Sequence, residues 1–135
     1  MERKKFVILI ADDNQDFLDI LIAKLTREKF DVHTVTDGRE AIEMAKELRP
    51  DLLILDLEMP VMGGMEAFFE LRKDSRFSKL KVVFITTHGD DSEKTAWVDD
   101  KFAREEGIRD FIRKTDDLDS IVKQILRILR VPAGA

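Results

Sequence analysis

Charged and polar residues follow several apolar runs of this sequence at positions where chemistry is expected. Asp12 and Asp13 come directly after the run Phe6–Ala11, and Asp56 lies inside the run Leu-Ile-Leu-Asp-Leu. A carboxylate in such surroundings is costly unless it is paired, hydrogen-bonded or bound to a cation. Thr86 and Lys114 close two further apolar runs. These patterns predict a polar site built at the ends of buried strands.

The three carboxylates predict a site for a divalent cation. Clustered carboxylates repel one another, and a divalent cation removes that repulsion. The chain has no cysteine and only two histidines, so its oxygen ligands favour Mg²⁺ over zinc. Acidic pairs alone are weak evidence in a chain with 28 acidic residues. The pairs at 90–91, 99–100 and 116–117 are therefore expected to lie in solvated loops or at helix starts.

Five apolar runs alternate with five segments of helical periodicity. Nearly continuous apolar runs are typical of parallel strands that are covered on both faces. The predicted strands are Phe6–Ala11, Val32–Val35, Leu52–Leu57, Val82–Thr86 and the residues around Phe111 and Ile112. The predicted helical segments are Phe17–Leu25, Ala41–Leu48, Ala67–Leu71, Ser92–Glu105 and Leu118–Leu129, with Asn14 as the N-cap of the first.

This alternation predicts an α/β fold with helices on both faces of an open parallel sheet. In such a fold the carboxyl ends of the strands meet at one rim, where ligands bind. Asp12, Asp13, Asp56, Thr86 and Lys114 would all reach that rim. The order of the strands does not follow from the alternation itself.

Length and composition limit the function classes. A chain of 135 residues fits one domain, which we expect to span residues 1–131 with a tail at 132–135. No apolar run approaches the roughly 20 residues of a membrane span, so we expect a cytoplasmic location and no membrane partner. The net charge of −5 argues against direct nucleic-acid binding by this domain. A DNA-binding domain elsewhere in a longer chain stays possible.

Four motifs resemble those of a known family. They are Ile-Leu-Ile-Ala-Asp-Asp-Asn at 8–14, Pro-Asp-Leu-Leu-Ile-Leu-Asp-Leu-Glu-Met-Pro at 50–60, Val-Phe-Ile-Thr-Thr at 83–87 and Asp-Phe-Ile-Arg-Lys at 110–114. Over residues 5–130 the chain resembles the receiver domains of two-component response regulators, including the chemotaxis regulators. The resemblance implies a flavodoxin-like, doubly wound (βα)₅ three-layer sandwich with strand order 2-1-3-4-5.

The resemblance also implies roles for the rim residues. Asp56 would accept a phosphoryl group, Thr86 would hydrogen-bond that group, and Lys114 would pair first with Asp56 and then with a phosphoryl oxygen. Phe111 matches an aromatic position that reorients in many receivers. The chain would be a switch that catalyses only its own phosphorylation and dephosphorylation.

The cofactor implied by the resemblance is Mg²⁺. Asp13 would bind the ion directly together with Asp56, Asp12 would act through water, and Glu58 would offer its backbone carbonyl. The implied partners are a sensor histidine kinase or phosphotransfer protein and an output protein or domain. The output would contact the face built from the fourth helical segment, the fifth strand and the fifth helical segment, and phosphorylation could drive formation of a homodimer.

The sequence departs from the family at several positions. Thr115 follows Lys114 where receivers commonly have a proline after a cis peptide, and a cis bond without proline costs about 2.5–4 kcal/mol. The segment between Thr86 and Lys114 is longer than usual, with the extra length in 88–101. Gly63 replaces a frequent Asp, and Thr87 replaces Ala or Gly. The resemblance implies that Glu58 and His88 border the path of attacking water and tune the lifetime of the phosphoryl group.

Two other classes of protein remain as alternatives. A receiver-like scaffold that is never phosphorylated would fit the missing proline and the longer fourth segment. A haloacid-dehalogenase-like phosphatase would need two aspartates spaced by one residue at the first strand, whereas Asp12 and Asp13 are adjacent. No Gly-rich phosphate loop follows any predicted strand, which argues against a nucleotide-binding protein.

Overall fold

The computed structural model describes residues 5–86, 108–114 and 116–130. The strands are β1 (Val7–Ala11), β2 (Asp31–Val35), β3 (Leu52–Asp56), β4 (Lys81–Thr86) and β5 (Ile108–Arg113). The helices are α1 (Gln15–Arg27), α2 (Gly38–Leu48), α3 (Gly64–Arg72), a short 3-10 turn (Ser75–Phe77) and the C-terminal helix (Leu118–Arg130). None of the helices in these ranges is long and apolar enough to cross a membrane.

All five strands are parallel and lie in the order β2-β1-β3-β4-β5. This confirms the predicted α/β fold and the strand order that the family resemblance implied. Every residue of β3 is buried, as its continuous apolar run predicts. Asp56 pairs in register with Ile85 of β4, and Thr86 pairs with Arg113 of β5. The register therefore places the ends of these three strands side by side.

The sheet separates two apolar cores. One core lies under α1 and the C-terminal helix and includes Leu21 and Ile125. The other lies under α2 and α3 and includes Ala45 and Phe68. Helices on both faces leave only the rims of the sheet for polar groups, so the fold itself directs the strand-end residues into one crevice.

Each of the first four strands agrees with its predicted apolar run at one end and differs from it by one residue at the other. β3 ends at Asp56, one residue before the apolar run ends, and β5 ends at Arg113, one residue before Lys114. Lys114 lies in a turn, but its N–H donates to the carbonyl of Thr86 at 2.8 Å and so extends the pairing of β4 and β5. The predicted N-cap is confirmed, because the Asn14 side chain accepts a hydrogen bond from Phe17 N–H.

Several sequence predictions fall outside the described residues. They concern the fourth helical segment at 92–105, the longer segment at 88–101, Thr87, His88 and the tail at 132–135. Thr115 also lies outside, so the peptide bond after Lys114 is not described. The backbone of Phe111 lies in β5, but its side chain is outside the part of the chain that the structure describes.

Candidate functional site

Asp56 is a buried carboxylate at the carboxyl end of the central strand β3. The residue is 4% exposed, and its oxygens have separate partners. Oδ1 accepts a hydrogen bond from the Glu58 N–H at 3.0 Å, and Oδ2 accepts one from Lys114 Nζ at 3.1 Å. The turn that follows β3 brings the Glu58 amide back to the carboxylate, so the chain itself fixes the orientation of Asp56.

Lys114 joins two of the carboxylates. Its Nζ lies 2.8 Å from Oδ1 and 2.7 Å from Oδ2 of Asp12, in addition to its bond with Asp56. Its side chain is 8% exposed. The sequence predicted a pairing of Lys114 with Asp56 and missed its shorter contact with Asp12. That contact joins residues 102 positions apart, and local sequence carries no signal for it.

Asp12, Asp13 and Asp56 form a cluster that fits a divalent cation. One carboxylate oxygen from each residue lies within 4.8 Å of the other two. Asp12 is fully buried and Asp13 is exposed, so the cluster opens to solvent on one side. Within the described ranges, Asp12 Oδ2 accepts no hydrogen bond of good geometry, although Lys114 Nζ lies close to it. A donor set made only of carboxylate oxygens suits Mg²⁺.

The site shifts the pKa of two of its members, Asp56 and Lys114. Burial raises the pKa of Asp56 from 3.8 to about 6, and the charge of Asp12 adds to the rise. The Glu58 amide and Lys114 lower this pKa but do not cancel the effect of burial. For Lys114, burial lowers the pKa, yet the hydrogen bond to Asp12 and the charges of Asp56 and Asp12 raise it above its usual value. Lys114 is therefore a cation at neutral pH.

Close backbone packing supports the turn after β3. A Cβ atom on Gly64 would lie 2.4 Å from the Asp56 carbonyl oxygen, and a Cβ on Gly38 would lie 2.4 Å from the Met62 carbonyl oxygen. The Gly38 N–H donates to that same Met62 oxygen at 2.9 Å. Only glycine permits such approaches. The start of α2 thus packs closely against the loop that carries Glu58, and the start of α3 packs closely against the end of β3.

Thr86 and Phe17 complete the described part of the site. Thr86 is 6% exposed and ends β4, one residue beyond the register partner of Asp56. Phe17 lies in the first turn of α1, and its ring centroid is 5.2 Å from Lys114 Nζ. The sequence predicted Phe17 only as the first residue of the helical segment Phe17–Leu25. Its place five residues after Asp12 was the one available sign that it lies near the rim.

The family of the chain follows from its fold, its site and its sequence. Residues 8–126 match the response regulator receiver domain. The chain belongs to this family, whose members are phosphoacceptor switches in two-component signalling. The predicted family resemblance is thereby confirmed.

Two curated relatives illustrate different settings of the domain. The protein PilH of Pseudomonas aeruginosa is 28% identical over 122 residues, which are 90% of this chain and 96% of PilH. The DNA-binding response regulator MtrA of Mycolicibacterium paratuberculosis is 34% identical over 123 residues, which are 91% of this chain but only 51% of MtrA. The chain thus spans nearly all of one relative and about half of the other.

A solved structure shows the same fold. The receiver domain of the sensor histidine kinase PA1611 from Pseudomonas aeruginosa superposes with a TM-score of 0.77 at 21% identity, covering 95% of this chain and 100% of that one. That structure has a magnesium ion coordinated in its active-site cleft. Because MtrA is a DNA-binding regulator, the comparisons do not support the prediction that this chain has no direct nucleic-acid partner.

Proposed function

We propose that the chain is a receiver that accepts a phosphoryl group on Asp56 from a histidine kinase or a phosphotransfer protein. The observation that carries the proposal is the setting of Asp56, a buried carboxylate between a fixed backbone amide and a lysine ammonium. A carboxylate held in this way without a ligand has no evident structural benefit, since burial disfavours its charged form. Its surroundings instead suit a group that receives a doubly charged substituent.

The proposed reaction is a direct transfer. A carboxylate oxygen of Asp56 attacks the phosphorus atom, the bond from phosphorus to the imidazole nitrogen of the donor breaks, and the leaving imidazole takes a proton. Phosphoryl transfer depends mostly on positioning and on stabilising charge on the equatorial oxygens. Lys114 supplies a fixed positive charge, and the Thr86 hydroxyl donates a hydrogen bond to one of those oxygens in the proposed reaction. Release by water, with Glu58 and His88 controlling access, would return the switch to its resting state.

The proposed cofactor is Mg²⁺, held by Asp13 and Asp56 directly, by Asp12 through water and by the Glu58 carbonyl. When bound, the ion neutralises charge on the transferring group. The spacing of the three carboxylates supports this assignment. Replacing Asp13 by Ala is expected to weaken Mg²⁺ binding at least tenfold, since it removes a charged ligand from the open side of the cluster. An unchanged Mg²⁺ affinity, measured by calorimetric titration, would place the ion elsewhere.

The proposed output is a change in the face that the family resemblance implies, of which the structure describes β5 and the C-terminal helix. Lys114 and Thr86 both adjoin β5, so new charge-assisted bonds at Asp56 would pull on the edge of the sheet. We assign the switch to residues 1–131, with a tail at 132–135. Its partner could be an output protein, an output domain or a second copy of the chain.

Intact-mass analysis tests the function. With Mg²⁺ and acetyl phosphate or phosphoramidate, the protein is expected to gain about 80 Da, the mass of one phosphoryl group. Asp56→Asn keeps the size of the side chain and is expected to gain nothing. A wild-type protein that gains no mass would favour the alternative of an unphosphorylated scaffold. A gain retained in Asp56→Asn would move the acceptor to another residue.

A further inference from the structure

Four contacts link Asp12, Asn14, Phe17 and Lys114 to one another on the α1 side of the site. The Asn14 N–H donates to Asp12 Oδ1 at 2.8 Å, and the Phe17 N–H donates to Asn14 Oδ1 at 3.1 Å. Lys114 Nζ lies 5.2 Å from the centroid of the Phe17 ring and donates to Asp12 Oδ1 at 2.8 Å. The Phe17 ring is thus tied to the same carboxylate that holds the ammonium of Lys114.

The geometry of Phe17 and Lys114 is that of a cation–π contact. An ammonium within about 6 Å of a ring centroid is attracted by the negative face of the ring, and the attraction grows when water is excluded. The Lys114 side chain is 8% exposed, so little water competes. The Phe17 side chain packs against the core under α1 and the C-terminal helix, which holds the ring in place.

We propose that Phe17 is a positioning residue for Lys114, an inference that rests on the proposed function because it concerns how the lysine is kept ready for the phosphoryl group. The two carboxylates that hold Lys114 are Asp12 and Asp56, and both are assigned to the cation or the phosphoryl group. Their interactions with the Lys114 ammonium therefore change when the cation or the phosphoryl group binds. The Phe17 ring carries no net charge, so it does not compete with Lys114 for the carboxylates or for the phosphoryl group. It holds the ammonium at the rim in a chain that has Thr115, not proline, after the lysine.

A measurement on the resting protein tests the contact without any reaction. The face of an aromatic ring shields nearby protons, so the Lys114 ε-methylene protons are expected to resonate upfield in the NMR spectrum of the metal-free protein. Phe17→Leu keeps an apolar side chain and is expected to move these signals towards their ordinary position. Phe17→Tyr keeps the ring and is expected to leave them upfield. Lys114 signals that are the same in Phe17→Leu and wild type would overturn the proposal.

The second measurement tests the consequence in a double-mutant cycle. With Mg²⁺ and acetyl phosphate, Phe17→Leu is expected to slow phosphorylation about two- to fivefold, the range for one cation–π contact, and Phe17→Tyr to restore the rate. In a Lys114→Met background, Phe17→Leu is expected to have no further effect. An equal loss in both backgrounds would assign Phe17 a merely structural role and contradict the proposal. If wild type takes no phosphoryl group, the proposed function fails, and the NMR comparison still decides the contact.

Discussion

Asp56 is buried, yet its carboxylate has to be negatively charged for the proposed phosphoryl transfer. Its pKa of about 6 means that the metal-free site holds a fraction of protonated carboxyl at mildly acidic pH. The rise is caused first by burial and then by Asp12, and a bound cation would oppose both. The buried negative charge of Asp56 therefore destabilises the metal-free fold, and a bound cation would reduce that destabilisation.

The first prediction concerns the stability of the metal-free protein. The folded-state pKa of Asp56 lies above its unfolded value of 3.8, so the native state binds the additional proton between about pH 4 and pH 6. The contribution of Asp56 to stability is consequently lost as the pH rises through this window. Asp56→Asn lacks this titration. Its free energy of unfolding at pH 7 is therefore expected to exceed that of wild type by roughly 1–2 kcal/mol, a figure reduced from the full pKa shift because solvent screens the carboxylate.

Urea unfolding at pH 4 and pH 7 in the presence of a chelator measures the difference. Asp116→Asn, at an exposed position, is the control for the loss of one carboxylate. The gap between Asp56→Asn and wild type is expected to widen from pH 4 to pH 7. A constant gap at both pH values would show that burial does not perturb Asp56 in the folded protein.

At the scale of elements, the loop after β3 is positioned by the backbones of α2 and α3. The second prediction is that Gly38→Ala destabilises the protein by on the order of 1–3 kcal/mol, although Ala is the better helix former by about 1 kcal/mol. The reason is that its Cβ would meet backbone atoms of Met62, the nearest at 2.4 Å, which cannot move without the loop. Thermal unfolding followed by circular dichroism measures the change.

Gly63→Ala is the matched control, because its Cβ would meet a single backbone atom, the Leu57 carbonyl oxygen, at the longer distance of 2.9 Å. We expect it to cost less than Gly38→Ala. If Gly38→Ala stabilised the protein, helix propensity would outweigh the contact, and the assigned support of the loop by α2 would be wrong.

The sequence predicted elements better than it predicted contacts between them. The continuous apolar run at Leu52–Leu55 predicted a buried central strand, and the helical stripe with Asn14 before it predicted α1, because both signals are local. The bond between Lys114 and Asp12 joins the end of the fifth strand to the end of the first. The contact of Lys114 with Phe17 depends in addition on the rotation of α1. Neither can be derived from spacing along the chain.

At the scale of the whole molecule, the order of the strands brings Asp56, the proposed acceptor, close to β5, which belongs to the proposed output face. β5 is the edge strand beside β4, and the Lys114 N–H donates to the Thr86 carbonyl at the point where both strands end. The strand order itself came from the family resemblance, since alternation of strands and helices allows several orders. A change at Asp56 can therefore reach the edge strand through Lys114, which contacts Asp56 and directly follows β5.

The third prediction is that occupation of the acceptor alters this edge. Beryllofluoride with Mg²⁺ mimics the phosphoryl group, and it is expected to change hydrogen exchange in peptides that cover residues 84–118. Peptides from β2, at the opposite edge of the sheet, are expected to change little and provide the internal control. Equal exchange over 84–118 with and without beryllofluoride would contradict the proposed output face.

Identification of the phosphorylated atom tests the central claim most directly. An acyl phosphate on an aspartate is reduced by borohydride to homoserine, whereas an unmodified carboxylate is not. After incubation with Mg²⁺ and acetyl phosphate, reduction and peptide sequencing by mass spectrometry are expected to place homoserine at position 56. The signal should be absent when the phosphodonor is omitted. Homoserine at Asp12, Asp13 or any other aspartate, with position 56 unchanged, would contradict the assignment of Asp56 as the phosphoacceptor.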